Sequence, residues 1–136
     1  MAINFKRLEN ISKALKPVHQ NGRSFHVSFV YNKKKLVCIA NNDYNKQHPY
    51  HRFGKYKSKY DDRQNEYVPG VHAECSALIK MGLEDCSHLT MVNIRVDNNN
   101  KPAISKPCSN CEALLRQVGI KKVWYFDGVE YICEKY

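Results

Sequence analysis

Apolar residues fall at two different periods along this chain, and the alternation between them outlines its elements. From Ile3 to Lys16, Phe5, Leu8, Ile11 and Leu15 recur at three- and four-residue spacings. That is one apolar stripe on a helix, which Pro17 ends. In "RSFHVSFVYNKKKLVCIANN" the period becomes two: Phe25, Val27, Phe29 and Tyr31 share a face, "NKKK" supplies a turn, and Leu36 to Ala40 is a short apolar run. The pattern predicts a β-hairpin. Asn41 to Pro69 carries neither period and reads as a loop of a length that compact domains seldom keep without a use for it.

Helical spacing returns from Val71 to Met81, with Ala73, Ala77, Leu78 and Met81 facing inward and Gly82 as C-cap. His88 to Val96 reads as a strand and "DNNNKPAISK" as a loop. Pro107 opens a further helix at a position where its missing N–H costs little. Ala113, Leu114, Leu115 and Val118 form the apolar side of that helix, and Gly119 closes it. "KKVWYF" is a strand, Asp127-Gly128 a two-residue hairpin signal, and "VEYICEKY" a last strand running back antiparallel. The order α-β-β-α-β-α-β-β describes an α/β domain, one sheet with helices packed on it, spanning residues 1–136 without repeats or linkers.

Composition narrows the class. At 136 residues the chain can bury most of its apolar surface without disulfide staples. No run approaches the ~20 apolar residues of a membrane span, and "MAINFKRLEN" places charges where a signal peptide needs an apolar core. A cytoplasmic location follows as the expectation. There the six cysteines stay reduced, so a closely spaced pair reads as a metal site. The net charge of +9 favours anionic partners, nucleotides or nucleic acid among them.

Chemistry concentrates at two helix starts. Cys108 and Cys111, in "SKPCSNCEALL", lie three residues apart on one helix face, where the helix N-terminus favours thiolate over thiol. His72, in "VPGVHAECSAL", can supply a third ligand. If no fourth protein ligand is used, water or hydroxide holds the last tetrahedral position, the mark of a catalytic zinc. Glu74, two residues beyond His72, can approach that water without binding the metal and move its protons.

The pair "HAE" and "PCSNC" resembles the signature H-x-E … P-C-x-x-C of the zinc-dependent cytidine deaminase superfamily. The likeness extends through "PCSNCEALLRQVGIKKVWYF" and the element order. It implies a three-layer fold around one mixed five-stranded sheet, and the replacement of an exocyclic amine by oxygen. Hydroxide on one Zn2+, held by His72, Cys108 and Cys111, attacks C4 of cytosine while Glu74 shuttles protons and ammonia leaves. The asparagine that members place after the second strand, to contact substrate, corresponds to Asn42, with Asn41 one residue away. Ala73, between the ligand and the acid, joins the substrate-binding set. Cys38, Cys75, Cys86 and Cys133 read as small buried apolar residues, and His19, His26 and His88 carry no assigned chemistry.

For the substrate, two features pull apart. The "FDGV" turn resembles free cytidine deaminases and some compact polynucleotide deaminases. A histidine as first ligand resembles the deoxycytidylate and polynucleotide branches instead. The loop Tyr44 to Tyr60 interleaves five cations with five aromatics and no acid. Tyr50, His51, Arg52, Lys55 and Lys57 there are candidates for holding phosphate and stacking bases. Three hypotheses follow: a deaminase of a cytosine nucleotide such as dCMP, which is favoured; a deaminase of cytosine in single-stranded DNA or RNA; and a catalytically silent zinc module that binds nucleic acid. Membrane partners are not expected, and a homo-oligomer is compatible with the family.

Overall fold

A computed structural model describes residues 3–16, 25–42, 72–82 and 84–136. They form three helices and five strands: α1 (Phe5–Leu15), β1 (Phe25–Asn32), β2 (Lys35–Asn41), α2 (Ala73–Lys80), β3 (Leu89–Val96), α3 (Ser109–Gln117), β4 (Lys122–Phe126) and β5 (Tyr131–Lys135). The sheet runs in the order β2-β1-β3-β4-β5. Its pairings are antiparallel except between β3 and β4, which are parallel and joined through α3. This is the mixed five-stranded sheet expected, with its last two strands antiparallel.

Helices cover both faces. Phe25, Val27 and Phe29 of β1 pack with Val92, Ile94 and Val96 of β3 against Leu8 of α1. Val30, Met91 and Val123 face the other way, onto Cys75, Ala77 and Leu78 of α2 and Leu114 and Leu115 of α3. The central strands are therefore buried on both sides, and their even and odd positions serve different layers. β2, at the edge, keeps its apolar run half open, with Val37 and Ile39 exposed.

Several boundaries differ from the sequence reading. Asn4 caps α1 by accepting the Arg7 N–H at 3.0 Å, and Lys16, before Pro17, turns extended. Leu15, however, is 45% exposed, and Ser12 occupies the buried face in its place, its hydroxyl donating to the Leu8 carbonyl. Seven residues at ~100° each leave Leu15 only about 20° from Leu8 around the axis, so its exposure comes with its place as the last residue of the helix and not from its face. α2 begins at Ala73 rather than Val71, which lies outside the described residues. α3 begins at Ser109, so Pro107 stands outside the helix rather than on its first turn. The β4–β5 connection is four residues, not two: Phe126 pairs with Tyr131, and Asp127 Oδ1 accepts the N–H groups of Val129 and Glu130. Gly128, at φ +108, supplies the left-handed residue of that turn. Cys75 and Cys86 are buried, but Cys38 and Cys133 are only half-buried.

Candidate metal centre

His72 and Cys108 are the N-cap residues of α2 and α3. Their carbonyls accept the opening helical bonds, from Ser76 N–H at 2.9 Å and Glu112 N–H at 2.8 Å. N-cap side chains usually turn back onto their own helix, but neither of these does. They turn toward each other across the gap between the helix ends. His72 Nδ1 lies 3.4 Å from Cys108 Sγ and 3.5 Å from Cys111 Sγ, and all three donor atoms fall within 4.8 Å of one another.

Those separations fit zinc. A tetrahedral ion with Zn–S near 2.3 Å and Zn–N near 2.05 Å sets its nitrogen and sulfur ligands about 3.5 Å apart. The surroundings fit as well. Cys111 is buried, and its hydrogen bond with Cys108 and then its burial hold the thiol well above its usual range. Such a pair gives up its protons when a dication arrives to take their place. Both helix N-termini direct their positive ends at the sulfurs. Cys75, by contrast, is pushed up to about 12, chiefly by burial, and points into the core as an inert thiol.

Glu74, on the first turn of α2, is 5% exposed. Its Oε2 accepts the Asn93 side-chain N–H at 3.4 Å, and Asn93 Oδ1 in turn accepts the Ser28 hydroxyl at 2.7 Å. Burial first, and the neighbouring Cys108 second, push the Glu74 carboxyl up to about 7, against the pull of His72. Ser105 locks the adjacent backbone: its hydroxyl donates to the Asn93 carbonyl and accepts the Phe126 N–H.

Asn42 is buried at the end of β2, where its Oδ1 accepts the His26 N–H at 3.0 Å. Ala73 is buried on the first turn of α2. Asn41 is exposed, its amide donating to the Asn42 carbonyl. Tyr50, His51, Arg52, Lys55 and Lys57, with the whole Tyr44 to Tyr60 loop and His19, lie outside the described residues. His88 is exposed.

Sequence reasoning missed Asn93, Ser28, Ser105 and His26. Burial, then Arg95 and His72, lower the His26 imidazole to about 4, so it stays neutral close to the donor cluster. The signal for these residues was present but faint. Once Phe25, Val27 and Phe29 define one face of β1, His26 and Ser28 must occupy the other. Asn93 and Arg95 do the same on β3.

The model of the cytidine and deoxycytidylate deaminase zinc-binding region matches residues 6–127. None of the curated proteins compared with the chain matches it. With nearly the whole chain inside that match and a His/Cys/Cys group assembled at its heart, the protein belongs to the cytidine and deoxycytidylate deaminase zinc-binding family, and its cofactor is one zinc ion.

Proposed function

We propose that this deaminase converts cytosine to uracil in a phosphate-bearing substrate, a (deoxy)cytidine nucleotide such as dCMP. The observation that carries the deamination is Glu74, a buried carboxylate on the first turn of α2, two residues beyond His72 and tethered by Asn93. A purely structural zinc site has no use for such a group. Zinc held by His72, Cys108 and Cys111 supplies a Lewis acid that brings the pKa of water toward ~7.

In the reaction the C4–N bond of cytosine breaks and a C4–O bond forms. Glu74 accepts a proton from the attacking water at a side-chain oxygen and gives it to N3, then takes the remaining proton of the new C4–OH and gives it to the departing amine, which leaves as ammonia. A carboxyl near 7 is matched to both halves of that task. Asn93 fixes which oxygen faces the substrate, and Ser28 fixes Asn93. Asn42 and Ala73 are assigned contacts with the sugar and base. Tyr50, His51, Arg52, Lys55 and Lys57 are assigned the phosphate and the outer base face.

The second reading, cytosine within single-stranded DNA or RNA, draws on the composition of the Tyr44 to Tyr60 loop, where cations and aromatics interleave. Parallel assays of mononucleotides and single-stranded oligonucleotides, reading uracil, separate the two. Turnover of mononucleotides alone is the expected result; turnover confined to oligonucleotides would overturn the nucleotide assignment. Glu74→Gln is expected to lose at least ~100-fold in kcat while retaining stoichiometric zinc. Undiminished activity in that variant would remove the proton-shuttle role.

A further inference from the structure

A groove of about 450 Å³ lies across the sheet from the zinc site, lined by Lys33, Lys34, Lys122 and Lys135 with Trp124 and Thr90 among them. Its position follows from strand parity. Trp124 packs on Phe5 of α1 with ring centroids 5.6 Å apart, so the groove opens on the α1 face. Asn93, which reaches Glu74, points to the opposite face. Along the strands the groove sits where β3 and β4 begin, at Thr90 and Lys122, and where β5 ends, at Lys135.

The charge placement there works against the sheet. Lys122 and Lys135 are directly paired across β4 and β5 on one face, and like charges so placed destabilise a sheet. All four lysines are exposed, and among the described residues no carboxylate lines the groove or pairs with any of them. A local rule broken without a compensating acid marks a surface that meets its counter-charge from outside.

We propose that this groove binds the backbone of a single-stranded nucleic acid. The lysines run from the β1–β2 turn to β5, roughly 17 Å at ~4.8 Å per strand interval. A single phosphate cannot meet amines spread over that width, whereas consecutive phosphodiesters can. Trp124 is half-buried within the row. Unpaired bases can reach an indole there, while bases locked in a duplex stack cannot. The site is independent of the reaction proposed above, because a strand held on the α1 face is tethered, not presented to Glu74.

Trp124 is the chain's one tryptophan, so its emission reports directly on the groove. The zinc-loaded full chain, titrated with a 15-nucleotide oligothymidylate that offers no cytosine, is expected to show a saturable change in emission. The logarithm of the binding constant is expected to fall with that of salt at a slope of about −2.8 for four phosphate contacts. K33E/K34E/K122E/K135E is expected to weaken binding at least tenfold and flatten the slope, with nucleotide turnover unchanged. Should that variant fail to fold, K33N/K34Q is expected to halve the slope. Asn suits position 33 because Lys33 sits at φ 57.

Silent Trp124 emission, variants that bind as well as the parent, thymidylate competing as effectively as the oligomer, or equal affinity for duplex would each overturn the proposal. Binding by a protein that deaminates nothing would leave the groove standing and sink the reaction. Turnover without binding would do the reverse.

Discussion

Asn93 decides where the Glu74 carboxylate points, although no local feature of its sequence announces it. In the proposed reaction it acts only through Glu74, which makes it a positioning residue. Asn93→Ala is expected to lower kcat by about ten- to a hundredfold, in the range of general acid–base contributions, with KM and zinc content little changed. A loss confined to KM would contradict that role. The ligands His72, Cys108 and Cys111 were legible in the sequence because ligand spacing on a helix start is local chemistry. Asn93 was not, because its bonds to Glu74 and Ser28 join segments brought together only by the sheet. His26 escaped for the same reason, and its environment has a measurable consequence. Its imidazole is lowered to about 4, against an unfolded value near 6.5. Between those values the unfolded chain binds a proton that the native protein does not, so stability is full above pH 6.5 and is lost progressively as pH falls toward 4. The loss reaches at most about 3 kcal/mol. His26→Gln is expected to narrow the gap in Tm between pH 7.5 and pH 5; an unchanged gap would place the acid sensitivity elsewhere.

At the scale of elements, periodicity located every helix and strand among the described residues but not their ends, because ends are set by caps and by partners distant in sequence. Pro107 looked like a first helical residue, yet Cys108 serves as the cap and the proline stays outside. The Asp127-Gly128 pair marked a turn correctly. Its length was fixed by the register of Phe126 with Tyr131, which no dipeptide encodes. The substitution of Ser12 for Leu15 on the buried face of α1 belongs with the polar contacts that this helix makes. Glu9, buried on α1, accepts the Tyr131 hydroxyl of β5 at 2.8 Å, and the Tyr131 ring stacks on Phe5 with centroids 4.2 Å apart. These contacts dock α1 onto the far side of the sheet. Tyr131→Phe keeps the stacked ring but leaves the Glu9 carboxylate buried without that donor, a cost of about 1–3 kcal/mol. Thermal unfolding is expected to register it as a Tm several degrees lower. Adding Glu9→Leu to the same protein is expected to recover part of the loss, since no stranded carboxylate then remains. Equal destabilisation by the single and double variants would show that the hydrogen bond is not what holds α1.

For the whole molecule, the zinc site is also a fastening between the two helices of one layer. α2 and α3 rest side by side on one face of the sheet, and the donor atoms that face each other come from both: His72 from the start of α2, Cys108 and Cys111 from the start of α3. One ion therefore links two segments separated by β3, and an unfolded chain cannot present the three donors together. Binding to the native state alone stabilises it by RT ln(1 + [L]/Kd), about 4 kcal/mol when free zinc exceeds Kd a thousandfold. Chelation is accordingly expected to lower Tm by several degrees, and restored zinc to raise it in proportion to the logarithm of its concentration. Cys111→Ala removes the buried donor, so its Tm is expected to lie near that of the chelated parent and to respond to neither treatment. Glu74→Gln, which removes the acid but none of the donors, is expected to keep the full response. That difference separates the fastening from the chemistry: a Cys111→Ala protein that still gained stability from zinc would mean that the three donors do not hold the ion together.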